Sequence, residues 1–297
     1  MTDVSVSIVN YNAKEYLDRC LTSLYRNIMR HSFEVIVVDN SSNDGSTDLV
    51  RGKFPAAKLI VNSSNFGFIK ANNIGIKNSR GRYVMCLNND TEVLDSSIDK
   101  LIDFMDSNPD AGVSGPKLLN SDGTLQMQCR RGFPTLSNSL FYFSGLNRLF
   151  PRSKLFGGYL LTYLDDKNTV EVDSLCGAAM IVRREVIDKI GLMDESYYMY
   201  GDDIDWCYRI KKAGWKVYYL PDAEIVHYGG RGGSRRQSYR NIFEFHRAMA
   251  VFYRKHYAKK GLFILNWPVY AGIWLKCAVE LAKNVFRKDK YAGTKKP

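Results

Sequence analysis

From the first residues of the chain, short apolar runs of strand length alternate with longer stretches of helical period. The runs are VSVSIV (4–9), EVIVVD (34–39), KLIVN (58–62) and YVMCLN (83–88), separated by helical patterns over about 14–28, 45–53 and 67–78. A further helix is predicted over 95–107, where Ile98, Leu101, Ile102 and Met105 recur at three- and four-residue spacing. This alternation is the βαβ rhythm of an α/β fold with an open, mostly parallel central sheet and flanking helices. After about residue 110 the rhythm fades through AGVSGPKLL, TLQMQC and an aromatic, loop-rich stretch from Phe133 to Leu164. A second ordered block, from VEVDSLCGAAM to His227, is expected to add mixed strands to the same domain.

In open α/β sheets ligands lie beyond the carboxyl ends of the strands, so the polar residues that follow each strand matter most. Here they are Asn10-Tyr11-Asn12, Asp39-Asn40-Ser41-Ser42, the run from Asn62 to Asn65, and Asn88-Asn89-Asp90. Any one of these turns is accounted for by capping and turn chemistry. Four in succession describe one polar crevice.

Asp90 follows an apolar strand directly, where its carboxylate would face that crevice. Hard divalent ions such as Mg²⁺ or Mn²⁺ take oxygen ligands, often one or two carboxylates completed by water and substrate phosphates. His227 closes the strand-like AEIVHY and is followed by GGRGGSRR (229–236). A histidine at a strand end is commonly an ordinary core or surface residue. The loop gives the ligand reading equal standing, because its glycines with Arg231, Arg235 and Arg236 can fold over phosphates and neutralise them.

The stretch MYGDDIDWCYRIKKAG crowds Asp202, Asp203 and Asp205 at the start of a helix predicted to run to Ala213, with Asp202 and Asp203 preceding it. Acidic residues at a helix N-terminus are favoured by its dipole. Adjacent carboxylates also raise the proton affinity of one member, which suits a general base. One can cap while the other catalyses.

The formal charge of +11 changes the picture only when it is divided along the chain. Met1–His227 holds 26 Lys/Arg against 28 Asp/Glu, whereas Tyr228–Pro297 holds 16 against 3. A near-neutral body therefore carries a basic segment suited to an anionic surface. The six cysteines are scattered without metal-finger spacing and read as reduced core residues of a cytosolic protein. No secretory signal pattern precedes the first strand. No G-x-G-x-x-G follows that strand, which argues against dinucleotide oxidoreduction.

Five ordered motifs, SIVNYN, VVDNSSNDGS, NFGFIKANNIGI, YVMCLNNDT and the long block from CGAAM to HYGG, closely resemble those of inverting GT-A-fold glycosyltransferases of family 2, nearest its rhamnosyltransferase-like branch. The resemblance covers about residues 4–235; residues 1–235 are taken as the catalytic domain and 236–297 as a basic, aromatic C-terminal helical extension. It implies that Asp39 and its turn hold the nucleoside of a nucleotide-sugar, with Asn10, Tyr11, Asn40 and Asn89 in the same wall. Asn65, Phe68 and Asn73 would close around base and ribose, and Arg231 would reach the phosphates. Asp90 would bind the divalent metal bridging the diphosphate, and His227 matches a position that completes this site in some relatives. Asn88 stands where the family has the first aspartate of its D-x-D motif, a departure that leaves its role in the donor site open. Asp203 becomes the base with Asp202 beside it. Cys176, Gly177 and Ala178 would line the sugar and acceptor pocket, with Trp206 assigned alongside. One displacement by an acceptor hydroxyl then inverts the anomeric centre, and a hydrolase-type pair of opposed acids is not required. The expected reaction is transfer of a sugar, foremost rhamnose from dTDP-rhamnose, to a lipid-linked glycan; the alternatives are a UDP- or GDP-sugar donor, or a non-catalytic nucleotide-sugar-binding role.

The tail separates two further readings. Over 261–288, Phe263, Trp267, Tyr270, Trp274, Cys277, Leu281 and Val285 form one helical stripe opposite Lys276, Glu280, Lys283 and Arg287, with Pro268 expected to break or kink the first part. Such a helix, with the basic aromatic segment 239–260, fits attachment across 239–290 to an anionic membrane, here the inner face of the plasma membrane. The alternative is packing on the catalytic domain or in a homodimer. Nucleic acid is a poor partner, since the positive charge is interleaved with an aromatic stripe of buried type.

Overall fold

The structure is a computed structural model and describes residues 2–230, 239–258 and 263–286. The predicted alternation appears as β1 (Val4–Asn10), α1 (Lys14–Asn27), β2 (Phe33–Asp39), α2 (Ser46–Lys53), β3 (Lys58–Val61), α3 (Phe68–Lys77) and β4 (Tyr83–Asn88). Next come β5 (Thr91–Val93), α4 (Ser97–Ser107) and β6 (Ala111–Leu119), so AGVSGPKLL is a long sheet strand rather than a loss of order. The region beyond carries β7 (Arg130–Arg131), the helices α5 (Leu136–Ser144) and α6 (Leu146–Leu149), and the short strands β8 (Val170–Glu171) and β9 (Ser174–Leu175). The second ordered block supplies β10 (Ala179–Arg183), α7 (Arg184–Ile190), α8 (Asp202–Lys212) and β11 (Lys216–His227), and α9 (Tyr239–His256) and α10 (Phe263–Phe286) follow.

The main sheet runs β3-β2-β1-β4-β10-β6-β11-β5, with β8 also paired to β11. Strands β3, β2, β1 and β4 are mutually parallel, β10 is antiparallel to both β4 and β6, and β11 is parallel to β6. All seven residues of β1 are buried, as expected of a central strand covered on both faces. Its polar Ser5 is tolerated there because its hydroxyl donates to Glu34 Oε1 at 2.6 Å and accepts from the Gly81 amide at 2.7 Å. Gly75 lets α3 lie directly on β1, since a Cβ at that position would meet Ser7 Oγ at 2.0 Å.

Two local features aim the strand ends. The register of β11 on β6 shifts between Leu220 and Glu224, where Pro221 stands, a position a bulge can accept. Beyond the shift β11 pairs antiparallel with β5, His227 opposite Thr91, which brings His227 within one residue of Asp90 along the ladder. At the other motif Tyr200 (φ 68°) and Gly201 (φ 77°) are both left-handed and turn the chain into α8. Asp202 and Asp203 are therefore the first two residues of α8 rather than residues before it.

The tail departs from the single-stripe expectation. Pro268 lies inside a continuous α10, in its second turn, where the missing N–H removes one bond of the ladder without ending the helix. Ile273 and Cys277 are buried, while Ile264, Trp267, Leu275 and Val279 form an exposed apolar line. The expected stripe is thus divided between a packed side and an open one, and Phe263 and Arg287 contribute no described side chain. Ala248, Val251 and Phe252 of α9 belong to the same hydrophobic core as the sheet. All six cysteines carry free thiols, and burial pushes those of Cys20, Cys86 and Cys207 up to about 12, so these three are inert core groups.

Candidate active site

A cavity of about 570 Å³ opens at the carboxyl ends of β1 and β4, where the strand order reverses. Its lining includes Asn88, Asn89, Asp90 and His227 together with Gly177, Asp202 and Asp203. Tyr11, Asn40, Asn65 and Phe68 form a further wall. This volume lies within the range of small-ligand sites.

The crevice is built on a chain of side-chain amides. Asn10 Nδ2 donates to Asp39 Oδ2 at 2.9 Å, and Asn10 Oδ1 accepts from Asn89 Nδ2 at 2.8 Å. Asp39 also accepts from the Ser42 amide at 2.8 Å and the Ser42 hydroxyl at 2.7 Å. Asn10 and Asp39 therefore brace the strand ends from beneath the cavity, and both are buried. Asn73 is not in the lining: its amide binds Met193 O and Glu195 Oε1, each at 2.9 Å, and clamps α3 to the loop before α8. Trp206 is also elsewhere. It is fully buried, with Nε1 donating to Gly191 O at 3.1 Å, because the fifth residue after the Gly201 turn faces inward from α8. Arg231, Arg235 and Arg236 lie outside the described residues.

Asp90 Oδ1 is 3.3 Å from His227 Nε2. Gln126, which the motif reading missed, fixes the tautomer of that ring. Its Nε2 donates to His227 O at 2.6 Å, so its Oε1, 2.9 Å from His227 Nδ1, must be the acceptor there. Nδ1 therefore carries a proton, and in the neutral ring, the form able to bind a metal, the Nε2 lone pair faces Asp90 and Asn88. Asn88 Oδ1 is buried without a hydrogen-bond partner among the described residues. A carboxylate, an imidazole lone pair and an unsatisfied amide oxygen suit one divalent cation whose remaining ligands are water and phosphate.

In the same lining Asp203 Oδ2 accepts from Arg131 Nη2 at 2.6 Å and from the Gly177 amide at 3.0 Å, while Oδ1 accepts from the Ile204 amide at 2.8 Å. A Cβ on Gly177 would come within 3.3 Å of Asp203 Cβ, so glycine permits this close approach. Burial pushes the Asp202 carboxyl up to about 7, and the neighbouring Asp203 charge adds to the rise. The pair holds one proton readily near neutral pH. Arg131 was also missed; its only signal was the basic pair in CRRGFP, which periodicity leaves in a loop. Tyr142 and Tyr159 from the 133–164 region and Phe252 from α9 complete the aromatic side of the cavity.

The family model for glycosyl transferase family 2 matches residues 5–191. The chain belongs to glycosyl transferase family 2. Among relatives of this family, the N-acetylglucosaminyl-diphospho-decaprenol L-rhamnosyltransferase of Mycobacterium tuberculosis is 28% identical over 299 residues, covering 97% of this chain and 96% of that protein. The rhamnosyltransferase WbbL of Escherichia coli is 24% identical over 252 residues, 82% of this chain and 89% of that one. A solved structure of S. aureus TarS in complex with UDP superposes with a TM-score of 0.55 at 18% identity, covering 96% of this chain and 72% of that one. GalNAc-T7 with UDP, GalNAc and Mn²⁺ gives 0.56 at 18%, over 76% and 43%. These likenesses show the fold, a GT-A-type α/β sheet with flanking helices, and the family makes the chain a glycosyltransferase.

Proposed function

We propose that this family 2 glycosyltransferase moves a sugar, foremost rhamnose from dTDP-rhamnose, onto a hydroxyl of a lipid-linked glycan with inversion at the anomeric carbon. The observation that carries the reading is that Asp90 with His227 and Asp202 with Asp203 line one and the same cavity. A donor diphosphate between them would have a cation site at one end and a proton acceptor at the other. The rhamnosyltransferase names of the Mycobacterium tuberculosis and Escherichia coli relatives support the choice of sugar, and the first of those names also supports a polyprenyl diphosphate carrier.

In this reading Asn88, Asp90 and His227 would hold a divalent cation, Mg²⁺ or Mn²⁺, which when bound offsets charge on the departing nucleoside diphosphate. Asp203 takes the proton of the attacking hydroxyl and is oriented for it by the Gly177 amide and by Arg131. Asp202, deeper and richer in protons near pH 7, adds negative charge beside Asp203 as it ionises and so strengthens the base. The aromatic wall excludes water that would otherwise hydrolyse the donor. The exposed apolar line on α10 and the basic tail support docking on the inner face of a membrane. Among the described residues no helix is long and apolar enough to cross one.

Thermal-shift measurements with Mn²⁺ and a panel of nucleotide-sugars test the donor. The dTDP-sugar is expected to raise the melting temperature most, by mass action; a larger rise with a UDP- or GDP-sugar would reassign it. Gln126→Leu is expected to weaken Mn²⁺ binding about 10- to 100-fold, since it releases the histidine tautomer. Titration by electron paramagnetic resonance reads this directly, and unchanged affinity would remove Gln126 from the site.

A further inference from the structure

The region between β7 and β8 gives side chains to the cavity, but its outer surface from Leu146 to Leu155 lines none of it. Residues 123–164 contain no acidic side chain, and Arg148, Arg152 and Lys154 are exposed there. Leu136, Leu140, Leu149, Phe150 and Leu155 are each more than half exposed. So many large apolar side chains on a short insertion exceed ordinary surface scatter. The run Arg148-Leu149-Phe150-Pro151-Arg152-Ser153-Lys154-Leu155 interleaves them with the three cations.

This patch adjoins the C-terminal helix. Leu136, Leu140 and Phe143 recur along α5 at helical spacing, and the Lys276 ammonium of α10 sits 4.7 Å over the Phe143 ring. Phe143 and Tyr142 also line the cavity, as do Phe245 and Met249 of α9. Residues of the insertion and of α9 therefore both border the cavity.

We propose that residues 136–155 form a second membrane-docking element, with Leu149, Phe150 and Leu155 at the headgroup–acyl boundary of an anionic bilayer and Arg148, Arg152 and Lys154 on its phosphates. The inference rests on the reading of the acceptor as lipid-linked and extends membrane contact beyond the tail. Charge complementarity selects lipid over a second copy of the chain. Self-pairing of this patch about a twofold axis would bring like cations together, with no acid among residues 136–155 to pair them. An anionic leaflet attracts all three. Two contacts beside the cavity would hold it against the surface from which a carrier-linked sugar must enter.

The test is co-sedimentation of the full chain with vesicles of phosphatidylcholine alone or with added phosphatidylglycerol, beside light scattering without lipid. The variants are Leu149→Asp with Phe150→Asp and Leu155→Asp, the charge variant Arg148→Gln with Arg152→Gln and Lys154→Gln, and Trp267→Asp with Leu275→Asp on α10. The insertion variants are expected to partition at least about tenfold less onto anionic vesicles, with melting temperature and donor-induced shift unchanged. The charge variant, the milder of the two, should lose mainly the salt-sensitive part. Wild-type binding by both insertion variants, with loss only in the α10 variant, would overturn the inference and leave the proposed reaction standing. A wild-type dimer that the insertion variants dissociate would give the patch to a second copy. No binding of the wild type to any vesicle would sink both this element and tail docking.

Discussion

Asp203→Asn is expected to lower kcat by about 100- to 10,000-fold while leaving nucleotide binding intact. The asparagine can still accept the Gly177 amide through its oxygen, so the loop at 176–178 keeps its support, but it cannot take a proton from an acceptor hydroxyl. Asp202→Asn tests the other member. Because burial and the Asp203 charge push Asp202 up to about 7, the wild-type rate should rise with pH through that value as the pair loses its last proton. Removing the Asp202 charge should flatten or displace this limb and lower the rate less than the Asp203 change does. Single-turnover kinetics across pH, with nucleotide affinity measured separately, decide the matter. If Asp203→Asn turns over normally and Asp202→Asn is dead, the roles are exchanged.

The same carboxyl makes a stability prediction of definite sign. Its folded-state value stands above the roughly 3.9 of an unfolded aspartate, so between about pH 4 and 7 the folded state holds more protons and stability falls as pH rises. Asp202→Asn should therefore stabilise the protein above pH 7, by on the order of 2 kcal/mol. A functional carboxylate that opposes folding is the expected signature of a tuned site.

Asp205→Ala is expected to cost about 3 to 5 kcal/mol, the largest effect of a single change outside the cavity. Asp205 is fully buried and receives Arg209 Nε at 2.9 Å, Lys255 Nζ at 2.8 Å and His256 Nε2 at 2.7 Å. The last two come from the end of α9, so this one carboxylate ties the C-terminal helices to α8. Burial alone would push it up; the hydrogen bonds from His256, Lys255 and Arg209 outweigh burial and hold it well below the usual carboxylate range. Its contribution is present above an unfolded value of about 4 and is lost as pH falls below that. The melting temperature should drop by about 5–10 °C in the alanine variant at pH 7. That gap should narrow in acid, where the wild type loses the same interaction. Equal melting curves at pH 7 would show that α9 is held by its apolar face alone.

The three aspartates of one motif thus have different fates, and the sequence distinguished them only in part. Asp202 and Asp203 were legible as a crowded pair because adjacency is visible in one dimension. Asp205 was not, since its partners Lys255 and His256 lie some fifty residues on, beyond any local pattern. Trp206, drawn into the site by its neighbours in the motif, turned out to point into the core, because helical rotation decides the face once the helix start is fixed by Tyr200 and Gly201. Asn73 failed for a related reason: its position in α3 is right for the crevice, yet its amide is taken by the Met193–Glu195 loop.

Periodicity and turn chemistry by themselves determined the βαβ half of the sheet and the row of polar strand ends, because both are local consequences of residue order. They also marked Asp90 and His227, and a resemblance of ordered motifs tied these to donor chemistry. Only the tertiary structure decided that Asp90 and His227 stand 3.3 Å apart, that Gln126 sets the histidine tautomer and that Arg131 reaches Asp203. It also decided that α10 is open on one side beside an exposed insertion. Each of these depends on strand register across the sheet or on elements far apart in sequence, where the energy lies in pairing and burial and the chain order carries no trace of it.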